Sequence, residues 1–577
     1  MKPLRIERRA AQPTSGWPAS VHPVLRRVYA ARGVASPAEV EHRLGALLAP
    51  QQLGGMAAAC TLLETAVRED QRIVVVGDFD CDGATGTAVA VRGLRLLGAR
   101  NVDYAVPNRF RHGYGLSPAI VAELLPRQPQ LLVTVDNGVA AHAGVAAARA
   151  GGVRVIVTDH HLPGPTLPDA DAIVNPNVVG DVFPSKALAG VGVMFYVLLA
   201  LRAQLRERGW FAARGMPEPD LSVLLDLVAL GTVADLVPLD RNNRILVEAG
   251  IRRIRSRRAC AGITALLLAG KRDPARAIAS DLAFVAGPRI NAAGRLEDMR
   301  VGIECLLCDD PLRAHELAAT LDAINAERRE LQAEMVEQAQ REVHKWTMQH
   351  GAANLPHGMV LFDPAWHHGV VGLVASKLKD ALNRPVIACA PGEEGSGEVK
   401  ASGRSIAGFH MRDALAEVDA RHPGLLLRFG GHAMAAGLSL RVGDVAKFAD
   451  AFDAVTRSRI APEAFDAVLL SDGELCADEF CLDLAQQLRF AGPWGQAFPE
   501  PVFDGEFSLH GWKVMGETHL RLSLRHVDLA QPLTGIAFNA YDGTPPPSKL
   551  RALYQLDVDE WNGSASLRLM IRSYEAV

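Results

Sequence analysis

The stretch between residues 72 and 174 constrains the fold of this chain most. Five short runs rich in β-branched residues stand there: Arg72–Val76 (RIVVV), Val102–Val106 (VDYAV), Leu131–Val135 (LLVTV), Val153–Thr158 (VRVIVT) and Ala172–Val174 (AIV). Ala-, Leu- and Gly-rich segments of helical character separate them. Near-continuous apolar strands alternating with helices are the pattern of a parallel, doubly wound α/β sheet. In such sheets ligands bind outside the carboxyl ends of the strands. The residues just after each run therefore carry the functional information.

Three of those ends are acidic or carry histidine. GDFDCDGATGT follows the first run and supplies Asp78, Asp80 and Asp82. DNG follows the third and supplies Asp136; DHH follows the fourth and supplies Asp159, His160 and His161. Asp235, in LGTVADLVPL, follows an apolar helical run. Taken singly each signal is weak, because Asp and Gly are ordinary turn residues. Three such loops on one sheet edge are a different matter. Four or more converging carboxylates would repel one another and raise one another's pKa. Hard divalent cations remove that penalty, and oxygen ligands with one or two imidazoles suit Mn²⁺ or Mg²⁺. Two such ions about 4 Å apart can activate a water and stabilise an in-line phosphoryl displacement. The residues thus point to a metal-dependent phosphodiesterase.

The rest of the chain reads as further domains, since 577 residues exceed one hydrophobic core. Residues 1–70 read as a helical extension and 71–260 as the α/β domain with the acidic edge. Residues 261–350 read as helical and end in a long charged segment without Gly or Pro after Pro311, suited to a connector. A second, smaller α/β pattern occupies 351–456, and alternating runs over 457–577 read as a small β-barrel. The net charge of -4 argues against a uniformly basic coat but leaves room for a local basic groove. MKPLRIERRAAQPTSGW has no apolar core of a signal peptide, and no long apolar stretch suggests a membrane span. The eight cysteines are scattered; Cys305 and Cys308 come closest to a metal-binding pair, but CLLC has no second pair. A cytoplasmic monomer is the expectation.

DFDCDG, VDNG, TDHH and the aspartate of GTVAD together resemble the four motifs of the DHH phosphoesterase superfamily. Within it the chain closely resembles the bacterial single-strand-specific 5′→3′ DNA exonucleases. PNRFRHGYGLS (107–117), GPRINAAGRLED (287–298), HHGVVGLVASKL (367–378), ASGRS (401–405), GGHAMAAG (430–437) and PWGQAFPEPVF (493–503) carry that likeness, which runs from about residue 50 to the C-terminus. The resemblance implies a DHH catalytic domain joined by a long helix to a smaller α/β DHH-associated domain, with a C-terminal OB-fold.

Carried over by position, the resemblance makes Asp80 and Asp82 ligands of two divalent cations, Mn²⁺ or Mg²⁺. Asp136 bridges them, and His160 and Asp235 complete the set. Asp78 is a further ligand, and Asp159 and His161 support the ligands or contact the phosphate. Many members carry a metal-binding histidine four positions before the DxD; here that position is Val76. Arg109, Ser402 and Arg404 would form a pocket for a terminal 5′ phosphate, with Arg289, Gly430, Gly431 and His432 also on the substrate path. Such a pocket would fix polarity and release 5′-mononucleotides from single-stranded DNA, in repair and recombination. Trp494, Phe498, Trp512, Arg521 and Arg525 are the barrel's candidates for stacking and charge contacts. The basic stretch Arg252–Arg258 reads equally as a backbone contact or a solvated helix end. Single-strand-binding protein and a helicase are the implied partners. Two alternatives stand beside this reading. A small-nucleotide or oligonucleotide phosphodiesterase should lack the barrel, and a non-catalytic scaffold should lack ligands.

Overall fold

The computed structural model describes residues 5–577 except 11, 15, 109–111, 352–353, 393–394, 466–467 and 562–563. The chain forms two units. One comprises Arg9–Asn325 with Asp472–Arg572; the other comprises Ala326–Ser471 with Met1–Arg8 and Ser573–Val577.

Counting strands along the chain, β1 (Arg5–Arg8) belongs to the second unit, and β2 to β6 build the first unit's sheet. They are β2 (Ile73–Val76), β3 (Val102–Ala105), β4 (Leu131–Val135), β5 (Arg154–Thr158) and β6 (Ala172–Val174), so all five apolar runs are strands. The order is β3-β2-β4-β5-β6, parallel throughout. The chain leaves β2 for one side and returns on the other, so the winding reverses between β2 and β4. That is where an open α/β sheet forms its ligand crevice. Both strands are buried at every position, which their unbroken apolar sequences require. Three helices hold the edge in place. Helix α1 (Cys81–Leu96) starts directly after β2 and packs against α2 (Gly190–Glu207) and α3 (Leu225–Ala234). Further along stand α4 (Gly287–Leu296), preceded by a π-helical turn at Leu282–Ala286, and α5 (Pro311–His350). α5 runs 40 residues; proline at its first position and none after it let the helix continue unbroken. Among the described residues no single helix is long and apolar enough to cross a membrane.

The second unit holds a five-stranded sheet of order β10-β11-β9-β8-β7. Its strands are β7 (Met359–Phe362), β8 (Val386–Pro391), β9 (Glu398–Arg404), β10 (Arg428–Gly431) and β11 (Ala435–Arg441). Only β7 and β8 are parallel. β1 pairs in parallel with β12 (Val468–Ser471). The sequence reading expects helix alone in residues 1–70 and barrel from 457. The β1–β12 ladder departs from both. Each segment is four residues long and gains its hydrogen bonds only from a partner far along the chain, so no local pattern announces it.

The closed barrel begins at Phe503, in the order β13-β14-β15-β17-β16. Its strands are β13 (Phe503–Met515), β14 (His519–Arg525), β15 (Leu533–Ala537), β16 (Lys549–Trp561) and β17 (Ser564–Ala576). The approach to it is bound to the N-terminal helix Pro23–Ala30. Tyr29 stacks on Trp17 (5.5 Å), Trp494 (5.9 Å) and Phe498 (6.4 Å), and its hydroxyl donates to the Ala491 carbonyl. Arg32 donates to both oxygens of Asp472 at 2.8 and 2.9 Å. Trp494 and Phe498 therefore do not serve as stacking platforms for bases. They are core, 7% and 2% exposed, and the Trp494 indole N–H is bound to the Leu488 carbonyl. Trp512 is exposed, as are Arg521 and Arg525 on β14.

Candidate metal centre

The switch point is built from four loop ends. Asp80 caps α1, its Oδ1 accepting the Gly83 N–H at 3.0 Å. This satisfies a helix N-terminus and leaves the carboxylate at its positive end. Asp82, one turn in, accepts the Gly190 and Val191 N–H groups at 2.6 and 2.8 Å, so the start of α2 fixes both of its oxygens. Asp136 follows β4 with φ 63°, a left-handed conformation that turns the chain sharply at the crevice. Asp235 ends α3 as its C-cap.

These residues converge. Ligand atoms of Asp78, Asp80 and Asp136 lie within 4.8 Å of one another, as do those of Asp82, His160 and Asp235, and of Asp136, His160 and His161. His160 Nε2 is 3.1 Å from Asp136 Oδ1, 3.5 Å from Asp235 Oδ2 and 3.8 Å from Asp82 Oδ2. Both Asp136 Oδ1 and His160 Nε2 are buried without a hydrogen-bond partner. The His160 ring bonds the Leu188 backbone, and burial followed by the charge on His161 pushes its pKa down to about 4. At neutral pH the ring is thus neutral, with an Nε2 lone pair aimed at the carboxylates. Burial pushes Asp82 up to about 7, and Asp80 adds to the rise. Burial and then neighbouring carboxylates drive Asp136 and Asp235 well above the usual range. Lone pairs aimed at shared points, amid carboxylates that burial penalises, are the donor set of a divalent cation site.

Asp159 and His161 have other duties. Asp159 Oδ1 accepts from the His160 and His161 N–H groups and from His161 Nδ1 at 2.8 Å, while Oδ2 accepts from Val139 N–H. Its oxygens are committed to holding the loop. Burial opposes protonation of His161, but the bond to Asp159 outweighs it and lifts the ring to about 9. His161 is therefore a cation at neutral pH, with Nδ1 3.9 Å from Asp136 Oδ1. Val76 is fully buried in the apolar core and supplies no donor.

Of the other expected residues, Arg109 lies outside the described residues. Arg289 is buried, with one Nη donating to Val285 O of the π-helical turn and the other paired with Asp322 of α5 at 2.7 Å. In the second unit, Ser402 and Arg404 end β9, and Ala435 of β11 pairs with Arg404. The Gly430-Gly431-His432 turn thus falls at the same end of that sheet. Arg404 Nη1 donates to Ser402 Oγ (2.8 Å) and Gly403 O (2.9 Å). Among the described residues no carboxylate pairs with it. Gly372, in the first turn of helix Val371–Leu382, leaves the space that both side chains occupy; a Cβ there would stand 2.9 Å from Arg404 Nη2.

The DHH family N-terminal domain matches residues 72–232, the DHHA1 domain 356–458 and the RecJ OB domain 471–573. The single-stranded-DNA-specific exonuclease RecJ of Dickeya dadantii is 52% identical over 557 residues, 96% of each chain, and that of Escherichia coli 50% identical over 98% of each. The chain belongs to the RecJ family. A crystal structure of RecJ from Thermus thermophilus in complex with Mn²⁺ superposes with a TM-score of 0.82 at 31% identity, covering 99% of this chain and 80% of that one. The Mg²⁺ complex gives 0.76 at 29%.

Several residues that set this RecJ-family site escape a sequence reading. Asn137 donates to Val76 O and Val135 O and accepts from Leu116 N–H, clamping the ends of β2 and β4 at a fixed spacing. Asn175 and Asn177 hold the His161 and His160 carbonyls from the end of β6. Their signal is present in the sequence, as polar residues after the fifth apolar run. Asn291 accepts the Cys81 N–H, and Gly294 lets α4 press on the Phe79 carbonyl, which explains why GPRINAAGRL is needed beside the DFDCDG loop. Tyr114 donates to the Asp136 carbonyl at 3.2 Å and stands 3.5 Å from both ring nitrogens of His161.

Proposed function

We propose that this chain is a single-strand-specific DNA exonuclease that hydrolyses phosphodiester bonds 5′→3′ with two divalent cations, Mn²⁺ or Mg²⁺, and releases 5′-mononucleotides. The carrying observation is that Asp136 stands between two sets of ligands, Asp78 and Asp80 on one side and His160, 3.1 Å from its Oδ1, on the other. Asp82 and Asp235 extend the second through His160. Cations held there supply the Lewis acidity that activates a water and neutralises charge on the phosphate. The chain's residues do the rest. The α2 N-terminus fixes Asp82 in a single orientation. Asp159 holds His161 by Nδ1, leaving Nε2 to donate to a non-bridging phosphate oxygen.

Polarity rests on the second unit's arginine. Arg404 is a largely buried guanidinium with no carboxylate partner among the described residues, beside Ser402 and the first turn of a helix, which suits a terminal 5′ phosphate. A role in DNA repair and recombination in the cytoplasm, with single-strand-binding protein and a helicase as partners of a monomer, follows from the same reading. The test is digestion of 5′-phosphorylated and 5′-hydroxyl single strands with and without Mn²⁺. Asp136→Ala should be inactive, and Arg404→Ala should lose its preference for the phosphorylated end. Wild-type cleavage by Asp136→Ala would overturn the metal reading, and an unchanged preference in Arg404→Ala the polarity reading.

A further inference from the structure

A cavity of about 440 Å³ opens in the first unit, away from the metal centre. Arg92, Arg95, Arg253 and Arg258 line it, against a single lining carboxylate, Asp309. Its apolar lining includes Leu96, Leu227 and Leu307. The basic stretch Arg252–Arg258 divides here. Arg252 pairs with Glu248, and Arg255 donates to the Ala277 carbonyl and covers Phe490. Arg253 and Arg258 turn to the cavity.

The guanidiniums are unequally engaged. Arg92 pairs with Asp309 at 2.8 Å and donates to Leu306 O. Among the described residues Arg95 donates one bond, to Val102 O, and Arg258 one, to its neighbour Ser256. Arg253 Nε is buried without a hydrogen-bond partner, 3.9 Å from the buried Asp226. Sparsely engaged guanidiniums and apolar side chains thus line one cavity. The volume is that of a site for one small molecule, not for a strand. Guanidiniums present paired donors that match phosphate oxygens, and aliphatic side chains suit the face of a base.

We propose that this cavity binds a nucleoside monophosphate, its phosphate on Arg95, Arg253 and Arg258 and its base on the leucines. The site lies at the far ends of helices that carry metal-centre residues. Arg95 is thirteen residues along α1 from Asp82, on the order of 20 Å, and Leu227 lies near the start of the helix that Asp235 ends.

The test is calorimetric titration of the full chain with dAMP in EDTA, where the metal centre has no cation to hold a phosphate. One dAMP per chain is expected, with inorganic phosphate and adenosine each binding about tenfold more weakly or worse. Arg95→Ala and Arg258→Ala, both exposed positions, should each weaken dAMP about tenfold while keeping the wild-type melting temperature. Asp136→Asn should bind dAMP as wild type does. Absence of binding, unchanged affinity in both arginine variants, loss in Asp136→Asn, or phosphate binding as tightly as dAMP would each overturn the assignment.

Discussion

Gly190→Ala tests whether the metal centre depends on the close approach of α2. A Cβ at Gly190 would stand 2.6 Å from Asp136 Cβ, 2.8 Å from its Cα and 2.9 Å from Oδ1. Ordinary packing begins at 3.4 Å, so the shortfall at Cβ is 0.8 Å. Asp136 cannot retreat easily, because its backbone N–H is bound to the Thr158 carbonyl and the next residue, Asn137, is tied to Val76 O and Val135 O. The α2 terminus cannot retreat without pulling Gly190 N–H from Asp82. One carboxylate or the other must move by several tenths of an ångström. Overpacking of this kind costs about 1–3 kcal/mol, partly offset by about 1 kcal/mol of helix propensity gained over glycine. Stability should therefore fall by about 0–2 kcal/mol. A misplacement near 1 Å at reacting groups costs about 100-fold in rate, and that is the expected fall in turnover on a 5′-labelled single strand. Gly192→Ala is the internal control, since its Cβ would meet only the Leu188 side chain at 3.2 Å, which can rotate. Near-wild-type turnover for Gly190→Ala, or equal losses for the two variants, would refute the argument.

Other outcomes rest on the same geometry. Asp136→Asn should abolish Mn²⁺-dependent cleavage yet raise the melting temperature in EDTA, because it removes one of several buried like charges. Arg32→Met should cost about 1–3 kcal/mol in urea unfolding, because the buried Asp472 loses its two-pronged partner and keeps only Arg9 at 3.5 Å and the Val502 N–H among the described residues. His42 is 5% exposed, and burial, then nearby arginines, push it down to about 4 from 6.5. The unfolded chain thus binds the extra proton between these values. Stability should fall as pH drops from 6.5 to 4, by on the order of 3 kcal/mol, and His42→Leu should flatten that slope.

The parallel sheet and its acidic edge were legible because both are local patterns. Each strand is a continuous apolar run, and each ligand follows one within a few residues. The hidden features depend on contacts across the chain. Nothing in DHH reveals that Asp159 exhausts its oxygens on backbone and His161 while His160 keeps a bare Nε2. Asn291 and Gly294 look like any helix until α4 lies on the DFDCDG loop. Trp494 and Phe498 have the composition of a stacking platform, and distant residues, Tyr29, Arg32 and Arg244, cover them.

That aromatic stack sets a timetable for the nascent chain. Tyr29 leaves the ribosome 462 residues ahead of the Ala491 carbonyl it must reach. At about 5–20 residues per second, the gap lasts roughly 20 to 90 s. For all that time Trp17 and Tyr29 have no aromatic partner from the far end of the chain. The amino-terminal helix is thus made first and seated late.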